Sequence, residues 1–170
     1  MNQNYAKYLQ LLRGKNIKNS LLLDVGAGGG EFIEMCDSME DYEIHAIEFS
    51  TKSAGYITGI VGENKFYTKE VSEIDFAGKK FGVITMWGVL EHISNPKKEL
   101  RICKEILDDN GRILILVPNF RSRAFMILGI DVPTLNPRTH LNYFGKKSMS
   151  VLCENVGLHI DEYYQELPVI

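Results

Sequence analysis

Apolar positions recur along the chain in two alternating rhythms. Tyr5, Tyr8, Leu9 and Leu12 are spaced as on one helix face over about Tyr5–Arg13, and Gly14 and Asn16 close that segment. Leu21-Leu22-Leu23-Asp24-Val25 is a nearly continuous apolar run that ends abruptly in glycines, the pattern of a strand buried on both faces. Glu31–Met39 returns to helical spacing, with Phe32, Ile33, Met35 and Cys36 directed inward. Glu43–Phe49 reads as a second strand, and Ser50 is placed to cap a helix that starts at Thr51. Lys65–Thr68 and Phe81–Met86 predict a third and a fourth strand. Pro96 suits the first position of a helix that runs to about Leu107, because its missing N–H costs little there. Asn110-Gly111 predicts a turn into a fifth strand, Arg112–Val117, which Pro118 stops. A last helix over Lys146–Asn155 closes on Gly157, and His159–Leu167 predicts a sixth strand.

Strand and helix alternating at this regularity imply βαβ units. Right-handed crossovers turn such units into a doubly wound α/β domain, with a mostly parallel sheet and helices on both faces. The chain ends at Pro168-Val169-Ile170 without a further strand, so the expected sheet lacks its last strand, as a fragment would. Residues 1–170 are expected to form a single domain, with 1–19 an N-terminal helix and linker. Residues 120–145 are irregular, and a loop of that length in a compact domain tends to be functional. It is read as a substrate-side loop or lid. Within it, the apolar patch Phe125-Met126-Ile127-Leu128 suits a lid, a membrane-touching surface, a homo-oligomer contact or plain packing.

Composition narrows the function classes. The 170 residues carry a net charge of -3, with 24% charged side chains. That balance argues against a nucleic-acid partner, which calls for a concentrated basic face. No segment approaches the roughly 20 apolar residues of a membrane-spanning helix. The first residues carry no secretory signal pattern. Cys36, Cys103 and Cys153 are far apart and form no metal or redox pair, which fits a reducing cytoplasm. No carboxylate-histidine set in the sequence suggests a metal.

The densest chemical signal is Asp24-Val25-Gly26-Ala27-Gly28-Gly29-Gly30-Glu31, where a strand runs into glycines and a helix leaves them. Glycine permits a tight turn at positive φ and lets a ligand lie against bare backbone. The dinucleotide pattern G-x-G-x-x-G fails from either starting glycine, because Glu31 or Ile33 stands where its last glycine belongs. A glutamate at the mouth of the helix would also repel a pyrophosphate. A phosphate-binding P-loop is excluded, since no G-K-[ST] follows. At the end of the second strand, Glu48 can accept hydrogen bonds from both ribose hydroxyls of an adenosine.

These residues resemble the class I S-adenosylmethionine-dependent methyltransferases, and the likeness continues in order along about Leu21–Ile160. Ala46-Ile47-Glu48-Phe49-Ser50 resembles the family's ribose-binding segment, and Glu70–Phe76 the stretch flanking the adenine, where Glu70 replaces the usual aspartate. Lys80–Ile93 resembles the fourth strand with its Leu90-Glu91-His92 continuation, and His140–Phe144 resembles part of a small-molecule branch. The resemblance implies a Rossmann-like methyltransferase fold and S-adenosyl-L-methionine as cofactor. It implies cofactor contacts from Asp24, Gly26, Ala27, Gly28, Gly30, Glu48, Phe49, Glu70, Val71, Met86 and Trp87. Methyl transfer to a small-molecule acceptor is expected, on oxygen, with a quinone-like, saccharide-pathway or other metabolite as acceptor. An alcohol-type acceptor calls for a general base, for which His92 and His140 are the candidates. Two alternatives stand beside this one: a cofactor-binding but inactive module of a larger protein, and a nicotinamide-dependent oxidoreductase.

Overall fold

The structure, a computed structural model, describes Tyr5, Lys7, Tyr8 and residues 20–39, 41–128 and 136–165. The described chain gathers into two compact units, one of residues 1–87 with 105–115 and one of 88–104 with 116–170.

The first unit is organised by a five-stranded sheet. Its strands are β1 (Ser20–Val25), β2 (Tyr42–Ile47), β3 (Phe66–Tyr67), β4 (Phe81–Trp87) and β5 (Leu107–Leu116), in spatial order β3-β2-β1-β4-β5. β1 pairs in parallel with β2 and with β4, and β2 pairs in parallel with β3. β5 advances in the same direction as β4. Gly111 lies against the Phe81 carbonyl at the start of β4, and the Leu116 carbonyl accepts from the Gly88 N–H just beyond its end. The chain order therefore reverses beside β1, the arrangement that opens a ligand crevice past the strand carboxyl ends.

Helices α1 (Glu31–Asp37) and α2 (Ala54–Val61) bring Phe32, Ile33, Cys36, Ile57 and Val61 into one core with Leu22, Ile44, Ala46 and Val83. Trp87 packs against this core, with its ring about 5 Å from those of Tyr5 and Phe32 (5.1 and 5.0 Å). Of the expected N-terminal helix, Tyr5, Lys7 and Tyr8 are helical, while Leu9, Leu12, Gly14 and Asn16 lie outside the described residues. His45 is buried in β2 with Nδ1 3.0 Å from the Tyr67 hydroxyl, and burial holds its imidazole below the usual range.

The second unit contains α3 (Pro96–Ile106), α4 (Arg123–Leu128) and α5 (Lys146–Glu154). Leu100 and Cys103 are the buried stripe of α3. Gly157 ends α5 in the left-handed region (φ 72°), and the Leu158 N–H returns to the Cys153 carbonyl at 3.0 Å. The expected irregular stretch after Pro118 thus holds the short helix α4. A parallel bridge of Asn119 with Phe144 joins its two flanks. All three cysteines are unpaired and buried, and burial pushes their thiols up.

Three local expectations are corrected. First, α2 begins at Ala54 rather than Thr51. The Ser50 hydroxyl accepts the Lys52 N–H in a local turn at 3.3 Å, and Ser53, which directly precedes the helix, donates its hydroxyl to the Gly28 carbonyl of the glycine loop. Second, Asn110-Gly111 is no turn, because β5 follows α3 directly and both residues lie within it. A Cβ on Gly111 would stand 2.9 Å from the Phe81 carbonyl, so the glycine permits close strand approach rather than reversal. Third, no sixth strand forms over 159–165, where every residue is exposed. A strand needs a partner edge and a face to bury, and none is offered there among the described residues.

Candidate functional site

The glycine loop is built on backbone that only glycine adopts readily. Gly28 has φ 58° and Gly30 has φ 92°. The N–H groups of Gly26 and Ala27 both donate to the Ile47 carbonyl, which fixes the loop over the end of β2. A Cβ on Gly30 would press on Ile57 and Tyr56 at 3.1 and 3.2 Å. Gly30→Ala should therefore cost about 1–3 kcal/mol of stability from strained backbone and crowding together, measured by urea unfolding against wild type. Gly28 differs: a Cβ there would meet nothing within 4 Å. Its bare backbone borders open space, as a cradle for a ligand requires.

Glu48 is half-buried and holds this cradle in shape. Its two oxygens accept the Gly28 N–H at 2.7 Å and the Ser50 N–H at 2.6 Å. A carboxylate has about four lone-pair sites, so two remain for ribose hydroxyls. Phe49, next in the chain, is 61% exposed. Val71 and Met86 are buried, as is Ala27. Glu70 caps the 3-10 turn Val71–Glu73, exchanging bonds with Glu73 in a reciprocal box. Trp87 stands within the aromatic group formed with Tyr5, Tyr8 and Phe32.

Asp24 is fully buried at the end of β1. Its Oδ1 accepts the Thr85 hydroxyl from β4 at 2.5 Å, while Oδ2 has no hydrogen-bond partner. Burial pushes this carboxyl from its ordinary 3.8 up to about 7, opposed by the Thr85 hydrogen bond and reinforced by the Glu48 charge. An orphaned buried oxygen, a bare glycine backbone and a carboxylate with spare acceptor sites together fit S-adenosylmethionine, which carries a ribose diol and two cationic centres. Thr85 escaped the sequence reading, because only the β1–β4 register sets it opposite Asp24.

The second unit gathers the other predicted residues. The Glu91 carbonyl accepts the N–H groups of Leu141 and Asn142 at 2.8 and 3.0 Å, and the Asn142 side chain donates to the Ile93 carbonyl at 2.7 Å. His92 Nδ1 lies 2.7 Å from the Thr139 carbonyl. This zipper brings the His92 and His140 rings to 4.8 Å, edge to face. Between them the sequence reading overlooked Glu91, which is 3% exposed. One donor atom each from Glu91, His92 and His140 lie within 4.8 Å of one another.

Comparison with known proteins agrees with this architecture. Residues 1–163 match the family described as a methyltransferase domain. The ubiquinone biosynthesis O-methyltransferase of Azoarcus sp. (strain BH72) is 27% identical over 161 residues, covering 88% of this chain and 66% of that protein. The chain thus spans about two thirds of the length of that relative. The tRNA U34 carboxymethyltransferase of Campylobacter fetus is 29% identical over 117 residues, covering 66% of this chain and 42% of that protein. The crystal structure of magnesium protoporphyrin IX methyltransferase from Synechocystis PCC 6803 with bound SAH shares the fold at a TM-score of 0.68 and 14% identity, covering 92% of this chain and 72% of that one. The parallel sheet, the glycine loop that leaves β1 and a family match over nearly the whole chain converge: the chain belongs to the class I methyltransferases, whose cofactor is S-adenosyl-L-methionine.

Proposed function

We propose that this chain transfers a methyl group from S-adenosylmethionine to an oxygen of a small, quinone-like or phenolic acceptor. The observation that carries the reading is the open Gly28 backbone clamped to the Glu48 carboxylate, with the unpartnered Asp24 oxygen at the end of the adjoining strand. When bound, the cofactor supplies a methyl group already activated on a cationic sulfonium, so the protein's work is alignment and, for a hydroxyl acceptor, removal of its proton. Glu48 holds the ribose, Phe49 and Val71 flank the adenine, and Asp24 faces the cationic end. His92 and His140 are the candidate bases. The ubiquinone-pathway relative favours an oxygen acceptor, and the net charge of -3 favours a small molecule over nucleic acid. Three buried, unpaired thiols suit a reducing cytoplasm.

Calorimetric titration with S-adenosylmethionine, S-adenosylhomocysteine and NAD tests the cofactor assignment. Micromolar binding of the first two and none of NAD is expected. Binding of NAD alone would replace this reading with an oxidoreductase, and binding without turnover of any phenol would favour an inactive module.

A further inference from the structure

Within the second unit, the 3-10 turn Leu90–His92 and residues 139–142 are zipped together through their backbones. The zipper brings one donor atom each from Glu91, His92 and His140 within 4.8 Å of one another. Two features separate this cluster from a chance meeting of surface groups. Glu91 is 3% exposed, and its Oε2 has no hydrogen-bond partner. An orphaned, buried carboxylate oxygen is costly, and a cation beside it removes that cost. The second feature is the Thr139 carbonyl, 2.7 Å from His92 Nδ1. A carbonyl only accepts, so the neutral imidazole keeps its proton on Nδ1 and its lone pair on Nε2. Metal-ligating histidines are held in this way, with the other ring nitrogen donating to a backbone carbonyl or a carboxylate.

We infer that Glu91, His92 and His140 form a binding site for a divalent transition-metal ion of the zinc class. Two imidazoles and one carboxylate suit zinc and its first-row neighbours, whereas magnesium and calcium take oxygen donors. Zinc bonds of about 2.0–2.1 Å place tetrahedral ligand atoms about 3.4 Å apart, so the 4.8 Å set closes by about 1.4 Å on binding. Three protein ligands leave a further position for water or another small ligand. All three residues belong to the second unit, and the site stands independently of the methyl-transfer reading. It bears on that reading in one respect. An imidazole nitrogen that ligates a metal has no lone pair for a proton, so a bound ion withdraws both histidines as candidate bases.

The test uses the chain stripped by dialysis against EDTA and exchanged into metal-free buffer. Calorimetric titration with Zn2+ should show one ion per chain, at a micromolar Kd or tighter, with Mg2+ in excess failing to compete. Losing a residue that merely orients a ligand costs about 10- to 100-fold in metal affinity, so losing a ligand should cost at least about 100-fold. That loss is expected for His92→Gln, for His140→Gln and for Glu91→Gln, while His159→Gln, at an exposed histidine outside the cluster, should bind as wild type. Zn2+ at about 100 times Kd should raise the thermal midpoint of the wild type by about 5–10 °C and leave that of His92→Gln unmoved. Two measurements on the unaltered chain need no variant to fold. Co2+ should give visible d–d bands without a thiolate charge-transfer band, and Zn2+ should protect His92 and His140 from diethylpyrocarbonate. The inference is overturned by an absence of Zn2+ binding, by affinity that stays within about threefold in both histidine variants, by displacement with Mg2+, or by a cobalt–thiolate band. Each of these leaves S-adenosylmethionine binding, and with it the proposed function, untouched.

Discussion

Glu48→Ala should weaken S-adenosylmethionine binding by about two to three orders of magnitude, the largest effect of any single side-chain truncation in the first unit. Hydrogen bonds to a charged group contribute about 1.5–3 kcal/mol each, and a ribose diol makes two. The alanine also releases the Gly28 and Ser50 N–H groups that the carboxylate holds at 2.7 and 2.6 Å, so the loop loses its clamp together with its ligand contact. Glu48→Gln separates the two effects. It keeps one acceptor oxygen and the arm's length but places a donor where a backbone N–H or a ribose hydroxyl donates. An intermediate loss of about tenfold is expected. Gly28→Val should abolish binding by another route. It forces a β-branched residue to φ 58° and fills the space that a ligand would occupy. Calorimetry on all three reads the result. Unchanged affinity in Glu48→Ala, with the thermal melt intact, would remove the ribose from this position.

Asp24 should govern how stability changes with pH. Its carboxyl lies above the ordinary range in the folded chain, at about 7 against 3.8. The sign follows from proton uptake. Between these values the folded chain holds a proton that the unfolded chain has released, so stability is fullest below the lower value and falls as pH rises through the upper one. From pH 5 to pH 8 the loss amounts to about 2 kcal/mol. His45 works the other way: its folded imidazole lies below the usual range, so it withdraws stability as pH falls below its ordinary value. The comparison with Asp24→Asn isolates Asp24, because the amide keeps the Thr85 hydrogen bond and cannot ionise. The stability of Asp24→Asn relative to wild type, from urea unfolding at each pH, should therefore grow by about 2 kcal/mol over that range. Two parallel profiles would mean that Asp24 does not titrate there. In the proposed function a cation brought to the free Oδ2 favours the charged form, so cofactor binding below pH 7 should release a proton. Titrations in buffers of different ionisation enthalpy detect it.

What the sequence by itself determined were the features encoded over a few neighbouring residues. The apolar run into Gly26–Gly30, the helix opening at Pro96 and the close at Gly157 all appear as predicted, because caps, tight turns and buried strands impose residue types locally. The parallel α/β class followed from the alternation of those elements. What only the tertiary structure decided were pairings between distant segments. Asp24 finds Thr85 sixty-one positions along the chain, through the β1–β4 register. Glu91 becomes a buried carboxylate beside two imidazoles because residues 139–142 zip onto its backbone. Gly111 resembled a turn and is instead pressed on a neighbouring strand's carbonyl, and residues 159–165 resembled part of a strand but pair with no edge among the described residues. A strand's partner, a hydrogen bond across sixty residues and the burial of a charge are properties of which surfaces meet, and a local residue pattern carries no record of that meeting.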